Sequence, residues 1–371
     1  MEIIHIVLGK ANPDRMNGVN KVVYQLATHQ VAFGENVSVW GITKDKDHNY
    51  GERNFKTELF LKQTNPFAVS KELKMALLEK KNKAVFHFHG GWIPVFYSLA
   101  KWLNKHSISY VFTPHGAYNT IAMRRNSIVK KLYFKLFEQK ILKHTSKIHC
   151  IGKSEILGLE KIFTTEKAIL LPYGFENTTK VVVQNPNNKQ IVFGFVGRLD
   201  IYTKGLDTLM HAFEKFILKQ PNAQLWIVGD SKEKAILEKQ IKEKSLEGNV
   251  ILHGSKFGEE KETLIQNMDV FVHPSRNEGL PLSVIEAASF GKPCIVTDAT
   301  NIGDLIVKHD AGITIYSQSS DQLEAAMDAM FDEWKNEVAF SQMRHNAIKM
   351  IDENYSWELI VKKFHQDLYS L

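Results

Sequence analysis

A chain of 371 residues exceeds the size at which one hydrophobic core keeps growing, so two domains of ordinary size are expected. No run of about 18 or more apolar residues is present, and Met1-Glu2-Ile3-Ile4-His5 lacks a basic and then apolar leader, so a helical membrane span and a secretory signal are not expected and a cytoplasmic location is. The net charge of +6 conceals a division: residues 1–184 hold 27 Lys/Arg against 14 Asp/Glu, whereas residues 185–371 hold 20 against 27, and no nucleic-acid-binding module accompanies the basic half.

Ile3 to Leu8 reads as a first strand, followed by a polar turn with Asn17-Gly18, a helix from about Val19 to Phe33, and a strand from Val37 to Ile42. The turn from Gly9 to Gly18 lacks the G-x-G-x-x-G fingerprint, so no hydride-transfer cofactor is expected. Asp45-Lys46-Asp47 falls in a charged tract that reads as a surface loop, and no metal is expected there. Ala84 to Phe88 runs into His89-Gly90-Gly91-Trp92, and Tyr110 to Thr113 runs into Pro114-His115-Gly116-Ala117-Tyr118. Both read as strand ends opening loops. A lone histidine in such a place is more often structural than catalytic, but two glycine-bearing histidine loops in one half keep a functional reading open.

Between Met123 and Lys147, Arg124, Arg125, Lys130, Lys131, Lys135, Lys140, Lys143 and Lys147 stand against one acid, Glu138. Interleaved Ile128, Val129, Leu132, Tyr133, Phe134, Leu136, Phe137, Ile141 and Leu142 give an amphipathic helical pattern. It reads either as the solvated face of a core helix or as a contact with an anionic membrane surface. Ile148 to Ile151 and Ala168 to Leu171 finish the first sheet before Pro172-Tyr173-Gly174, and Asn177 to Gln190 reads as a linker. Cys150 and Cys294, both in apolar runs, read as buried free thiols.

The second half alternates strand and helix, with strands at Ile191–Val196, Gln224–Val228, Val250–His253, Met268–Val272 and Cys294–Thr297. Two of its loops carry chemistry. Gly197-Arg198-Leu199-Asp200-Ile201-Tyr202-Thr203-Lys204-Gly205 follows a strand and offers a planar fork of donors at Arg198 and a point charge at Lys204, a pairing suited to a departing diphosphate. His273-Pro274-Ser275-Arg276-Asn277-Glu278-Gly279-Leu280-Pro281-Leu282-Ser283-Val284-Ile285-Glu286 sets two carboxylates around a Gly-Leu-Pro turn. Gly279 lets a ligand approach closely. A helix from Ser283 to Phe290, opened by a serine cap, offers N–H groups near Leu282 and Ser283 to a phosphate, and Glu286 can accept from a hydroxyl pair. Either glutamate alone reads as a solvated charge; at the carboxyl ends of α/β strands, where ligands bind, the ligand reading gains ground.

Gly-Arg-Leu followed by Lys-Gly, then Pro-Ser, then Glu-Gly-Leu-Pro and a second Glu resembles the family 4 retaining glycosyltransferases, most strongly from Ile191 to Val307. The resemblance implies an α/β GT-B fold of two facing Rossmann-like domains with parallel sheets and an interdomain cleft. Residues 1–184 would form the acceptor-side domain, with the final helix, about 357–371, packing back on it, and residues 185–356 the donor-binding domain. Arg198 and Lys204 would hold the donor diphosphate, Glu278 the transferred sugar and Glu286 the nucleotide ribose, with Gly197, Gly279, Leu280, Leu282 and Ser283 lining the donor site. Gly18 would lie beside the reacting phosphate, although the family often has a second glycine where Asn17 stands. His115 would point at the transferred sugar, and His89 and Tyr118 are acceptor-side candidates. Tyr173 departs from the family's usual asparagine.

The implied reaction moves a sugar from a nucleotide diphosphate sugar, a uridine donor favoured over a guanosine one, to a saccharide or lipid-linked saccharide acceptor, with retention of configuration. No cofactor and no metal are implied, and no nucleic acid partner. Bacterial-type surface polysaccharide or glycolipid assembly, at the inner face of the cell membrane, is the setting it suggests. Two other readings stand beside it: a metal-dependent hydrolase using His87, His89 and His115, and a sugar-nucleotide-binding protein without activity.

Overall fold

The computed structural model of the chain describes residues 1–12, 18–48, 50–119, 123, 127–175, 190–316 and 318–370. The chain divides into two compact units, Met1–Gly174 with Trp357–Leu371, and Phe175–Ser356. Asn17, Arg124, Arg125 and the linker tract from Asn177 to Lys189 lie outside the described residues.

In the first unit, β1 (Glu2–Leu8), β2 (Val37–Thr43), β3 (Lys56–Leu61), β4 (Ala84–His89), β5 (Tyr110–Thr113), β6 (Lys147–Cys150) and β7 (Ala168–Leu170) form one parallel sheet. Its order is β3-β2-β1-β4-β5-β6-β7, so the winding reverses between β1 and β4. The sheet's two faces differ in kind. Ile4, Ile6, Phe86, Phe88, Tyr110, Phe112 and Ile148 pack on one side with Phe96, Leu99 and Leu103 of the helix Pro94–Lys105, an ordinary apolar layer. The alternate positions carry His5, His87, His89, Thr113 and His149, all buried. Register sets His5 opposite His87 and His89 opposite Thr113. Gln30, on the helix Gly18–Ala32, and Phe364 and Tyr369, in the turn after the helix Trp357–Lys363, reach these polar groups.

The second unit holds β8 (Val192–Val196), β9 (Gln224–Val228), β10 (Val250–Gly254), β11 (Val270–His273), β12 (Cys294–Thr297) and β13 (Gly312–Ile315), parallel and ordered β10-β9-β8-β11-β12-β13. Here both faces are apolar. Phe193, Phe195 and Ile227 pack with Leu209, Phe213 and Phe216 of the helix Leu206–Lys219, and Val192, Val196 and Phe271 pack with Val284, Ile285 and Ala288. Gly194 makes room for Met268, whose sulfur lies 1.9 Å from where a Cβ would stand. The winding reverses between β8 and β11, the place where open α/β sheets gather ligands.

The amphipathic pattern before β6 is helical from Ser127 to His144, with one π turn at Phe134–Glu138. Its apolar residues divide: Phe134, Ile141 and Leu142 are buried, while Ile128, Val129, Leu132 and Leu136 are exposed. Glu138, the single acid of that stretch, is the buried one. Cys150 and Cys294 are free and buried. No helix among the described residues is long and apolar enough to cross a membrane.

Candidate functional site

In the second unit the loops after β8 and β11 bring their charges together. Asp200 caps the short helix Ile201–Lys204 by accepting from Thr203 N at 3.0 Å, and Gly205 ends it at φ +68°, with Pro274 O 2.0 Å from where a Cβ would stand. That close approach lays the first loop against the second. Lys204 Nζ reaches Glu278 Oε1 at 2.5 Å, and His273 Nε2 reaches the same oxygen at 2.7 Å. Side-chain exposure is 12% for Glu278 and 1% for His273, so the array is largely withdrawn from water. Burial pushes the Glu278 pKa up, but the hydrogen bond from His273 and the ammonium of Lys204 overcome it and hold the carboxyl well below its usual range. Burial in turn lowers His273, whose ring lies near parallel to those of Phe195 and Phe271 and whose Nδ1 is buried and without a partner.

The backbone around Glu278 is held from several sides. Asn301 Nδ2 donates to Glu278 O at 2.5 Å and to Gly279 O at 3.1 Å. Arg276 forms a two-pronged pair with Asp207 at 2.7 and 2.9 Å, donates to Tyr202 O at 2.6 Å, and lies 4.6 Å over the Tyr202 ring. Arg198 is apart from this array: its side chain is 71% exposed and pairs with Asp200 at 3.1 Å. Glu286 is also apart, paired with Lys261 at 2.6 Å. One local expectation is corrected. The helix runs Leu282–Ser289 with Pro281 at its cap position, so Ser283 lies inside the first turn and makes no capping bond; the proline sets the helix entry in its place.

In the first unit, Gly18 opens the helix Gly18–Ala32 and is exposed. His115 lies half-buried on the loop after β5 at φ +55°, an uncommon conformation in which the next residue, Gly116, also sits at φ +77°. The loop is pinned by Glu155, which accepts from Gly116 N at 2.5 Å and Ile151 N at 3.1 Å. Burial raises the Glu155 carboxyl to about 7 against those bonds. Tyr173 stacks on His115 at 5.8 Å, which gives the residue that departs from the family pattern a packing role. Tyr118 is not available to an acceptor: it is fully buried and donates to Glu138, whose own pKa burial raises to about 7.

His89 joins His115 (Nδ1 to Nε2, 3.0 Å) and His5 (Nε2 to Nδ1, 2.9 Å). His5 Nε2 meets Gln30 Oε1 at 2.6 Å, and His87 meets Tyr369 OH at 2.9 Å and Thr113 Oγ1 at 2.6 Å. Thr113 in turn meets His149 Nδ1 at 2.8 Å. Burial depresses all five histidines, His5 and His149 to about 4, His115 to about 3, and His87 and His89 well below the ordinary value. The ring nitrogens of His5, His87 and His89 come within 4.8 Å of one another. All six of those nitrogens are engaged in the hydrogen bonds just given, so a cation would have to dismantle the network. The metal-hydrolase set of His87, His89 and His115 is not the set that gathers: His89 and His115 run in series, and His5 takes the place His115 would fill.

Sequence reasoning missed His273, Arg276, Asn301 and Lys261 in the second unit, and His5, Gln30, His149, Glu155 and Tyr369 in the first. A signal existed for His5 and His149, polar residues at alternate positions of otherwise apolar strands. None marked Gln30 or Tyr369.

Residues 16–170 match the model described as "Glycosyltransferase Family 4" and residues 176–350 the model described as "Glycosyl transferases group 1". The O-antigen chain mannosyltransferase C of Escherichia coli is 23% identical over 98% of this chain and 97% of its own length. An uncharacterized glycosyltransferase of Methanocaldococcus jannaschii is 32% identical, a match spanning 46% of this chain and 42% of that relative. Among solved structures, Anabaena HepE in complex with UDP and glucose superposes with a TM-score of 0.71 at 16% identity, with 100% of both chains covered. Sucrose-phosphate synthase from Thermosynechococcus elongatus gives 0.72 at 19% identity, covering 99% of this chain and 98% of that one.

Proposed function

The chain belongs to the family 4 glycosyltransferases and has their GT-B fold, and from that premise we propose that it transfers a hexosyl unit from a nucleotide diphosphate sugar, with retention, to a saccharide or lipid-linked saccharide hydroxyl. The observation that carries this reading is the array of Lys204, His273 and Glu278 at the winding reversal of the second sheet. The chemical problem in glycosyl transfer is the charge that gathers on the departing diphosphate. An ammonium has three donors; Glu278 takes one and two remain for phosphate oxygens. Arg198, exposed on the same loop, adds a guanidinium to the same anion. The bond from the sugar's anomeric carbon to phosphate breaks, the acceptor oxygen bonds to that carbon on the same face, and the acceptor proton passes to a phosphate oxygen.

Glu278, kept ionised, orients Lys204 and lies beside the transferred sugar. His115 would meet that sugar from the first unit, Glu286 would accept from the ribose hydroxyls, and no metal or other cofactor is assigned a step. A uridine donor is favoured over a guanosine one; HepE was solved with UDP and glucose, which supports that choice by likeness of fold alone. The exposed Ile128, Val129, Leu132 and Leu136, beside Lys131, Lys135 and a lysine that overlies an aromatic ring (Lys140 on Tyr97, 5.5 Å), support docking on an anionic lipid surface at the cytoplasmic face. Surface polysaccharide or glycolipid assembly fits that location.

The test is donor turnover. Purified protein is screened for thermal stabilisation by UDP and GDP, then for hydrolysis or transfer with the sugar nucleotides of the base that binds. Stabilisation by UDP and a product of retained configuration are expected. An inverted product would overturn retention, and no sugar release from any nucleotide sugar would overturn the enzymatic reading.

A further inference from the structure

The histidines of the first unit form a chain whose direction is fixed. His5, His87, His89 and His149 are buried and His115 is half-buried, and none of the hydrogen bonds they make is to an acid, so each ring is neutral, with one N–H and one lone pair. A carbonyl oxygen only accepts. The 2.6 Å contact between His149 Nε2 and Leu171 O therefore places the proton on Nε2 and makes Nδ1 an acceptor. Thr113 must donate to that Nδ1 and accept from His87 Nε2–H. His87 Nδ1 then takes the hydroxyl proton of Tyr369, whose oxygen accepts from the Gln30 amide at 3.3 Å. That orientation turns Gln30 Oε1 toward His5, which donates Nε2–H; His5 Nδ1 accepts from His89, and His89 Nδ1 accepts from His115 Nε2–H. Reversing any link reverses them all and aims the His149 lone pair at the Leu171 carbonyl.

We infer that this relay, anchored at Leu171 and passing through Tyr369 and Gln30, locks His115 as the Nε2–H tautomer with Nδ1 as an acceptor, so that His89, His5 and Gln30 are positioning residues for it. The functional consequence rests on the reading of His115 as the residue that meets the transferred sugar. An acceptor nitrogen takes a hydrogen bond from a sugar hydroxyl and disfavours a phosphate oxygen, which has no proton to give. The relay also makes the closing segment part of the site: Tyr369 acts on His115 through four hydrogen bonds.

Histidine-selective 15N labelling of the full chain, read by long-range 1H–15N correlation at about pH 7.5 and assigned from single His→Gln replacements, tests this. His5, His87, His89, His115 and His149 should all be neutral Nε2–H rings; an Nδ1–H or cationic His115 would overturn the relay. Tyr369→Phe keeps the ring and removes the hydroxyl, and Thr113→Val breaks a different link. Both should turn His115 into a mixture of tautomers, whereas an unmixed Nε2–H His115 in both would overturn the inference. In Tyr369→Phe, kcat should fall about three- to tenfold with less than about a twofold change in donor KM, because nucleotide contacts in the other unit are untouched. Mixed tautomers with unchanged kcat would leave the relay standing and remove His115 from the sugar site. Stoichiometric zinc binding that moves His5, His87 and His89 together would overturn the relay as well.

Discussion

The second unit gathers Lys204 and His273 on one oxygen of Glu278, an array built from full charges and drawn from two neighbouring loops. The first unit gathers five histidines with no full charge among them, drawn from three strands and the loop after β5 and completed by Gln30 and Tyr369. The difference teaches what each environment permits. At the loop ends of a sheet an ion pair can keep its charge and lend it to a ligand. Between a sheet and its covering helices no counter-ion is at hand, so polar groups survive only by satisfying one another as neutral donors and acceptors.

The comparison breaks first under acid. A histidine whose folded pKa is depressed contributes stability that is complete above about 6.5 and is lost as pH falls toward the folded value, at about 1.4 kcal/mol per unit. Five such groups lie in the first unit, so its stability falls steeply below pH 6.5, with the loss from His5 and His149 running down to about 4 and that from His115 to about 3. Glu138 and Glu155, both raised to about 7, act in the opposite sense between about 4.5 and 7, but they are outnumbered. Hydrogen exchange followed from pH 7 to pH 5 should show β1, β4, β5 and β6 losing protection before β8, β11 and β12. Simultaneous loss would mean that the histidines do not set acid stability.

Next in size, Lys204→Ala should lower kcat by about 100- to 1000-fold, with a smaller change in donor KM, because its charge matters most as the diphosphate departs. Unchanged kcat with the true substrates would remove Lys204 from the chemistry. Arg276→Lys tests the frame rather than the charge. It loses the two-pronged pair with Asp207 that ties the two loops, and should cost about 1–2 kcal/mol in denaturant unfolding of the second unit. An effect near zero would show that Pro274 and Gly205 hold the loops without it.

How much of this was legible follows the same division. Strands β1, β2, β4, β5, β8, β9 and β12 were legible as apolar runs, because central parallel strands are buried on both faces. β3, which opens on Lys56-Thr57-Glu58, and the four-residue β13, Gly312–Ile315, gave no such signal, whereas the edge strands β7 and β10 did. Lys204 and Glu278 were legible because a ligand loop concentrates its chemistry in a few residues. The relay was not: His87-x-His89 shows a shared face, but nothing local says that Gln30 and Tyr369 close the chain. Tyr118 misled for the converse reason, since a tyrosine after a histidine loop looks the same whether it faces solvent or Glu138.

The smallest expected effect concerns Glu286. In the structure Lys261 occupies one of its oxygens at 2.6 Å, with side-chain exposures of 25% and 17%. A partly exposed pair of this kind is worth about 1 kcal/mol or less. If Glu286 accepts from the ribose hydroxyls, the lysine competes with the ligand for the carboxylate, and Lys261→Ala should tighten nucleotide binding by about two- to fivefold, while Glu286→Gln weakens it. The opposite result, weaker binding in Lys261→Ala, would mean that the lysine orients the carboxylate for the ribose. The charged array would then extend from Lys204 to Lys261, with each carboxylate set by its own ammonium, and the second unit would rely on pairing as thoroughly as the first relies on neutrality.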